Sequence, residues 1–415
     1  MTTSTSSPPR GAVSKLFTPL PISNGTITLS HRIIMAPMTR NRGVPLNQDT
    51  LENPNRVWVA DELIAKYYAQ RATPGGLIVT ESIMPSPEAG AMPGCTGLWL
   101  KEHGEGWKLT TNAVHAKGGT IFAQLTHHGR SALSIFTGTP IYSASSTPYS
   151  TDEKYTHPAL GKSYSDRELY RDHPPVAMTQ EDIDRTIGGY VKAAKIAMNE
   201  SGFDGVEVHG GNGYLVEQFL SSNVNLREDG YGGSPDRRCR FALEVLEALV
   251  KEVGEERVAV RLSPWGVYGG VHDENRWETW SFLIEEIERR WPGFAYVSFV
   301  EARQDDLAAY PSIVKSWGVD RPIELKWAKD ILGPNIKVIS AGGWDGENCW
   351  EGIERGDVDG VVFARWFVSN PDLVERLREG KSLTMYNRGK FYGPTSKREV
   401  GYTDYGTWEE AAKEK

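Results

Sequence analysis

The sequence predicts an α/β chain folded as a (β/α)8 TIM barrel with a long insertion after strand three. Short apolar runs alternate with longer helical ones along most of the 415 residues, the pattern of βα units and a parallel sheet. The apolar runs number eight. Polar side chains able to do chemistry stand at the ends of several, on the side where such barrels keep their sites. The count by itself fits an open doubly wound sheet as well as a closed barrel.

The strands are expected at 32–38, 77–81, 120–125, 205–209, 258–263, 296–300, 338–341 and 360–363. Helical runs at 61–72, 180–199, 237–253, 278–290 and 372–378 separate most of them. Thr179 stands where an N-cap belongs, and Asp182, three residues on, completes a capping box. Behind it Ile183, Ile187, Val191 and Ala194 recur at helical spacing. Residues 130–176 break the alternation, being rich in Ser, Thr, Pro and Tyr without a period. A long irregular stretch inside a compact domain is usually functional, and after strand three it would cover the C-terminal face. Three parts result: a flexible N-terminal segment 1–15, a barrel over 16–393, and a C-terminal tail 394–415.

Hydrophobic residues make up 39% and charged residues 24%, the profile of a globular protein with a sizeable core. A net charge of −8 implies no strongly basic face, so no nucleic-acid partner is expected. No run approaches the length of a membrane span, and residues 1–15, rich in Ser, Thr and Pro, lack the apolar centre of a signal peptide. Neither membrane nor secretion is expected. The three cysteines, Cys95, Cys239 and Cys349, are odd in number and far apart. That argues for a reducing, cytoplasmic location and against a thiolate-bound metal or cluster; no metal site is expected. The oligomeric expectation is a monomer or a homodimer.

Strand four reads Gly205-Val-Glu-Val-His209 and runs into Gly210-Gly211-Asn212-Gly213-Tyr214. Alternation turns Val206 and Val208 toward the helices, and Glu207 and His209 inward. Asn212 and Tyr214 follow in a turn whose glycines would let backbone approach a ligand. His209 and Asn212 can both donate to one developing oxyanion. Tyr214, with an ordinary pKa near 10, can act as a general acid. Alone, His209 reads more readily as a core histidine with local turn caps. Strand five, Val258-Ala-Val-Arg261-Leu-Ser263, turns Arg261 inward. A buried guanidinium needs compensation, either from Glu207 on the neighbouring strand or from a cofactor that carries negative charge. Strands seven and eight end in Gly342-Gly343 and Ala364-Arg365, the place of a recurring phosphate site in barrels; two glycine turns and a surface arginine are the plainer account. No GxGxxG opens a helix after strand one, which disfavours a Rossmann site. His127-His128 has the look of a metal pair, but adjacent strand residues face apart.

These residues resemble the old yellow enzyme family. The likeness runs from Leu16 to Tyr392. Its most specific parts are Ala36-Pro-Met-Thr-Arg40, Gln124, His209-x-x-Asn212-x-Tyr214 and Tyr231-Gly-Gly-Ser-Pro-Asp-Arg-Arg238, with Arg261-Leu-Ser-Pro264 and Ser369-Asn-Pro-Asp-Leu373 beside them. The resemblance implies a closed barrel holding FMN noncovalently. Pro37, Thr39, Ser82, Gln124 and Arg261 would contact the isoalloxazine, Arg261 at the N1–O2 edge. Gly342, Gly343, Ala364 and Arg365 would hold the phosphate. His209 and Asn212 would bind the carbonyl or nitro group of an activated alkene, Tyr392 would line the pocket, and Tyr214 would supply a proton. The implied reaction is ping-pong. NADPH, rather than NADH, reduces the flavin and leaves; hydride then passes to the alkene β-carbon while Tyr214 protonates the α-carbon from the opposite side. Departures are Val362 and Ala364, where some members have Gly, and Thr126, where yeast members have Trp. The run Gln124-Leu-Thr-His-His-Gly-Arg130 resembles the bacterial branch, and Thr39 the yeast branch.

Other barrel chemistries fit less well. A glycosidase needs a carboxylate pair flanking the bond, and strand seven offers none. A Schiff-base aldolase needs an interior lysine, and strand six has none. Iron–sulfur dienoyl-CoA reductases need cysteines that this chain lacks. A flavin-binding isomerase or non-reductive protein on the same barrel is the alternative that would keep Arg261 and the phosphate site.

Overall fold

Pairing between the first and last strands decides between the two architectures. In the computed structural model, which describes residues 11, 13–90, 92–302, 324–393 and 397–413, eight parallel strands close on themselves. Strand four (Gly205–Gly210) lies beside five (Val258–Leu262), then six (Tyr296–Val300), seven (Lys337–Ala341) and eight (Gly360–Phe363). Strand eight pairs with one (Ile33–Met35), one with two (Leu77–Ile83), two with three (Thr120–Leu125), and three with four. The chain is therefore a closed (β/α)8 barrel. Of the expected terminal segments, residues 1–10, 12, 394–396, 414 and 415 lie outside the described residues.

Two faces of each strand build two cores. Val206, Val208, Val258, Val260 and Leu262 pack outward with the helices. Inward residues such as Ile34, Val79, Phe122, Ala259, Tyr296 and Ile339 fill the barrel, which is a packed core and not a pore. Leu20, Ile22 and Leu29, from a hairpin of Leu20–Ile22 with Ile27–Leu29, join that inner cluster. The Ser23 N–H bonds the Ala295 carbonyl just before strand six, so the hairpin caps the N-terminal end.

Element ends move for local reasons. The expected strand 32–38 stops at Met35. Ala36 still donates to Phe363 O at 2.8 Å, but Pro37 has no N–H to continue the ladder. The expected helix 237–253 begins at Pro235, with Ser234 at its N-cap, since proline suits a first turn. The run 180–199 is α-helical over Gln180–Ile196 and widens to a π turn, Ala197–Ser201, which left-handed Gly202 ends. Thr179 caps it as expected: its Oγ1 accepts the Asp182 N–H at 3.2 Å, and the Thr179 N–H donates to Asp182 at 2.8 Å. Its buried stripe is rotated from the expected one. Thr186, Tyr190 and Ala193 are buried with Ile183 and Ala194, while Ile187 and Val191 are only half-buried.

Residues 130–176 carry short turns and a two-residue ladder, Tyr142–Ser143 with Val176–Ala177. They are organised by aromatic packing: Leu133, Tyr149, Tyr155 and Tyr170 form a small core, and the Tyr149 and Tyr170 rings stack at 4.5 Å. Residues 397–403 are gripped by arginines that follow strand one. Arg40 donates to Gly401 O at 2.6 Å, and Arg42 to Arg398 O at 2.9 Å and Val400 O at 3.2 Å.

Candidate active site

Register gathers the interior polar residues. Glu207 is level with Gln124 on one side and Ala259 on the other; His209 is level with Arg261. Strand two reaches the same sector through a bulge. Val79 pairs with Phe122, both inward, but the register then shifts so that Ser82 pairs with Gln124. Without the shift, alternation would turn Glu81 inward and Ser82 away. Gln124 Nε2 donates to Glu207 Oε1 at 2.8 Å. Arg261 is 7% exposed, and its charge draws the Glu207 carboxyl down while burial, the larger effect, raises it. Glu207 thus lies within the field of Arg261.

The turn after strand four is held by hydrogen bonds. Asn212 and Gly213 are both left-handed, with φ of 56° and 75°. Asparagine tolerates that conformation better than most residues. The Asn212 N–H donates to Ser263 Oγ at 2.8 Å and the Gly213 N–H to Glu217 at 2.5 Å. The glycines answer to protein more than to a ligand: a Cβ on Gly211 would lie 2.6 Å from Ser263 Oγ, and one on Gly213 would lie 2.3 Å from Tyr268 O. The turn sets Asn212 Nδ2 3.5 Å from His209 Nε2. His209 Nδ1 accepts the Gly211 N–H at 3.3 Å, which puts the proton of the neutral ring on Nε2. Two donors therefore stand side by side. The Tyr214 ring meets His209 edge-on at 5.0 Å and lies 4.9 Å from His128.

The ionisation states suit this arrangement. Burial, then the charges of Arg261 and His128, hold His209 well below its ordinary pKa. It stays neutral at physiological pH, a donor without net charge. Burial pushes the Tyr214 phenol up, and neighbouring Tyr149 and Tyr268 add to it, so the proton is retained until something basic develops nearby. The His127-His128 pair divides. His127 Nδ1 accepts the Gly129 N–H at 3.1 Å, while His128 lies against Tyr214.

The other predicted residues stand elsewhere on the rim. Pro37 and Thr39, both half-buried, follow strand one. Gly342 and Gly343 follow strand seven; beside Gly343, at φ 101°, an added Cβ would meet nothing within 4 Å. Ala364 is the N-cap of the short helix Arg365–Ser369, and the Arg365 guanidinium lies over the Tyr386 ring at 5.4 Å. In the closed order, strands seven and eight lie across the mouth from strands three and four. Tyr392 is 60% exposed and stands near enough to Tyr214 to add to the upward push on its phenol. It is carried there by Phe391, whose carbonyl accepts from Arg40 at 2.8 Å.

Four contributors were not legible as site residues. Glu217 and Ser263 fix the turn. Ser131 Oγ, 2.6 Å from Tyr149 Oη, also donates to Gly213 O at 3.2 Å, so the insertion touches the turn. Tyr268 closes over Gly213. Glu217 had a signal, a carboxylate at the third position of a helix that opens at Leu215, and Ser263 had one in its alternation with inward Arg261. The others act through backbone groups that no residue pattern announces.

Comparison with known proteins gives a consistent answer. Residues 15–384 match the model of the NADH:flavin oxidoreductase / NADH oxidase family. Flavin oxidoreductase hxnT of Emericella nidulans is 40% identical over 399 residues, covering 94% of this chain and 97% of that protein. 12-Oxophytodienoate reductase 2 of Arabidopsis thaliana is 36% identical over 397 residues, covering 94% and 96%. Among solved structures, the old yellow enzyme homologue from Zymomonas mobilis has a TM-score of 0.78 at 32% identity, covering 94% of this chain and 99% of that one. Morphinone reductase in complex with tetrahydroNAD has a TM-score of 0.79 at 32% identity, covering 94% and 97%. Among the described residues, no helix is long and apolar enough to cross a membrane.

Proposed function

Because the chain belongs to the NADH:flavin oxidoreductase / NADH oxidase family, among the old yellow enzymes, and is an NAD(P)H-dependent flavin oxidoreductase, we propose that it reduces the C=C bond of activated alkenes. The substrates are α,β-unsaturated carbonyl or nitro compounds, NADPH is the reductant, and the two alternate at one site in a ping-pong cycle.

The observation that carries this reading is the pair of neutral donors, His209 Nε2 and Asn212 Nδ2, 3.5 Å apart beside the Tyr214 ring. Two donors that close suit one oxygen that gains negative charge during reaction, where each is worth about 3–4 kcal/mol of barrier. They bind and polarise the carbonyl or nitro oxygen. Tyr214, kept protonated by burial, gives its proton to the α-carbon as charge develops there. Tyr392 lines the pocket.

The residues present fit FMN held noncovalently. A guanidinium that is 7% exposed, Arg261, faces the interior in the sector of Gln124 and Ser82, suited to a ring edge that carries negative charge. Pro37 and Thr39 complete that wall. Arg365, with Gly342, Gly343 and Ala364, offers cation and backbone N–H groups to a phosphate. When bound, FMN supplies the hydride carrier between nicotinamide and alkene. We also place the protein in the cytoplasm, a reading supported by its three free, buried cysteines. As domain limits we take residues 16–393 for the barrel, with 130–176 over the active-site face.

Anaerobic mixing with NADPH tests the reading: the yellow flavin should bleach, and cyclohexenone should then restore it. An oxidised spectrum that persists after NADPH removes the first half-reaction. A reduced spectrum that persists after a panel of activated alkenes removes the second.

A further inference from the structure

We infer that Glu217 is a positioning residue: it holds the Asn212–Gly213 backbone in the shape that sets the side chains of His209 and Asn212 side by side. The inference rests on the proposed role of that pair in binding the substrate oxygen. Glu217 is 2% exposed and sits on the helix Leu215–Leu220, just after the turn. One oxygen accepts the Gly213 N–H at 2.5 Å. The other accepts the Ser263 hydroxyl at 2.9 Å, and Ser263 Oγ in turn accepts the Asn212 N–H at 2.8 Å. One carboxylate thus fixes two consecutive amides, one directly and one through a serine at the end of the neighbouring strand. Both of those residues are left-handed, a conformation that persists at a non-glycine residue only where the surroundings impose it.

The chemistry of the side chain supports the assignment. An amide of the same size would have one acceptor oxygen, whereas this geometry asks for two. Burial pushes its pKa up to about 7, while the Gly213 and Ser263 hydrogen bonds and the charge of Arg276 favour the ionised form. Arg276, on the helix Arg276–Arg290, also feels Asp273, which is itself paired with Arg238 at 2.8 Å. A group with only a space-filling role gains nothing from being ionisable there.

The test uses the FMN-loaded protein and cyclohexenone as probe, with binding read from flavin absorbance. Wild type, Glu217→Gln, Ser263→Ala, Asn212→Ala and the double variant Glu217→Gln/Asn212→Ala are compared, with FMN affinity measured separately. Glu217→Gln and Ser263→Ala should each raise the cyclohexenone Kd about fivefold to tenfold and leave FMN affinity unchanged. In the Asn212→Ala background the Glu217→Gln effect should vanish, because it acts through that side chain. Kd values within about twofold of wild type for both variants, or full additivity in the double variant, would overturn the positioning role and leave the oxygen-binding pair standing. A silent Asn212→Ala would overturn the pair and the positioning role together. Should Glu217→Gln fail to hold FMN, Ser263→Ala, which keeps the carboxylate, decides in the same way.

Discussion

In the proposed reaction, His209 and Asn212 act through position and neutrality. Were His209 protonated, its charge would add to that of Arg261, level with it on strand five; burial and that same charge keep it neutral. A neutral donor favours an oxygen whose charge grows during reaction over one that is already charged, which is the discrimination catalysis needs. Replacing one donor should therefore cost rate. Asn212→Ala is expected to lower kcat/KM for cyclohexenone about 100-fold with FMN content unchanged. Steady-state kinetics beside the flavin absorbance checks both parts. A loss of flavin in step with activity would assign Asn212 to cofactor retention.

The turn and the strand ends are the units that place these side chains. Gly213→Ala would set a Cβ 2.3 Å from the Tyr268 carbonyl at φ 75°, a strain on the order of 1–3 kcal/mol. We expect cyclohexenone binding to fail while FMN remains bound, measured by flavin absorbance titration. Binding equal to wild type would mean the turn is more plastic than its hydrogen bonds suggest. At this scale the sequence was informative where one residue acts through its own periodicity. Strands 120–125, 296–300 and 360–363 have the expected bounds, and His209 and Arg261 face inward as alternation requires. It was silent where a feature belongs to two strands at once. The shift between Val79 and Ser82 has meaning only against strand three. The helix Lys101–His115 buries His103, Gly104, Gly106, Thr110 and Thr111 with Trp107 and Val114, so its core face carries too few apolar residues to show a period. The hairpin Leu20–Ile22 with Ile27–Leu29 is short enough for its strands to pass for loop. The polar trio at strand four was legible as a trio. Its bracing by Glu217, Ser263 and Ser131 was not, because those contacts join segments about 50 to 80 residues apart or end on backbone.

The whole molecule should be acid-sensitive. His31, His103, His127 and His128 are buried, and desolvation lowers them to about 4, 4, 3 and 4. Groups whose folded pKa is depressed below the unfolded value of about 6.5 bind protons only on unfolding. The stability they leave intact above pH 6.5 is lost as pH falls toward 4. Glu81 and Glu217, both raised to about 7 by burial, work the other way, since the folded state keeps protons that the unfolded chain releases between about 4.5 and 7. Glu153, Glu207 and Glu301 are raised as well, and His157, His209 and His272 lowered, so the lowered histidines outnumber the raised carboxylates. We expect Tm, followed by circular dichroism, to fall steadily between pH 6.5 and 5; a flat or rising Tm would contradict the dominance of the buried histidines over the carboxylates.

In the proposed reaction Tyr214 delivers a proton after the flavin has been reduced, a step that stopped-flow spectroscopy isolates. Wild type and Tyr214→Phe, both FMN-loaded and anaerobic, are mixed first with NADPH and then, once reduced, with cyclohexenone. Bleaching should proceed at equal rates, and reoxidation of the variant should be slowed at least about 100-fold. Equal reoxidation rates with every activated alkene tried would contradict proton delivery by Tyr214.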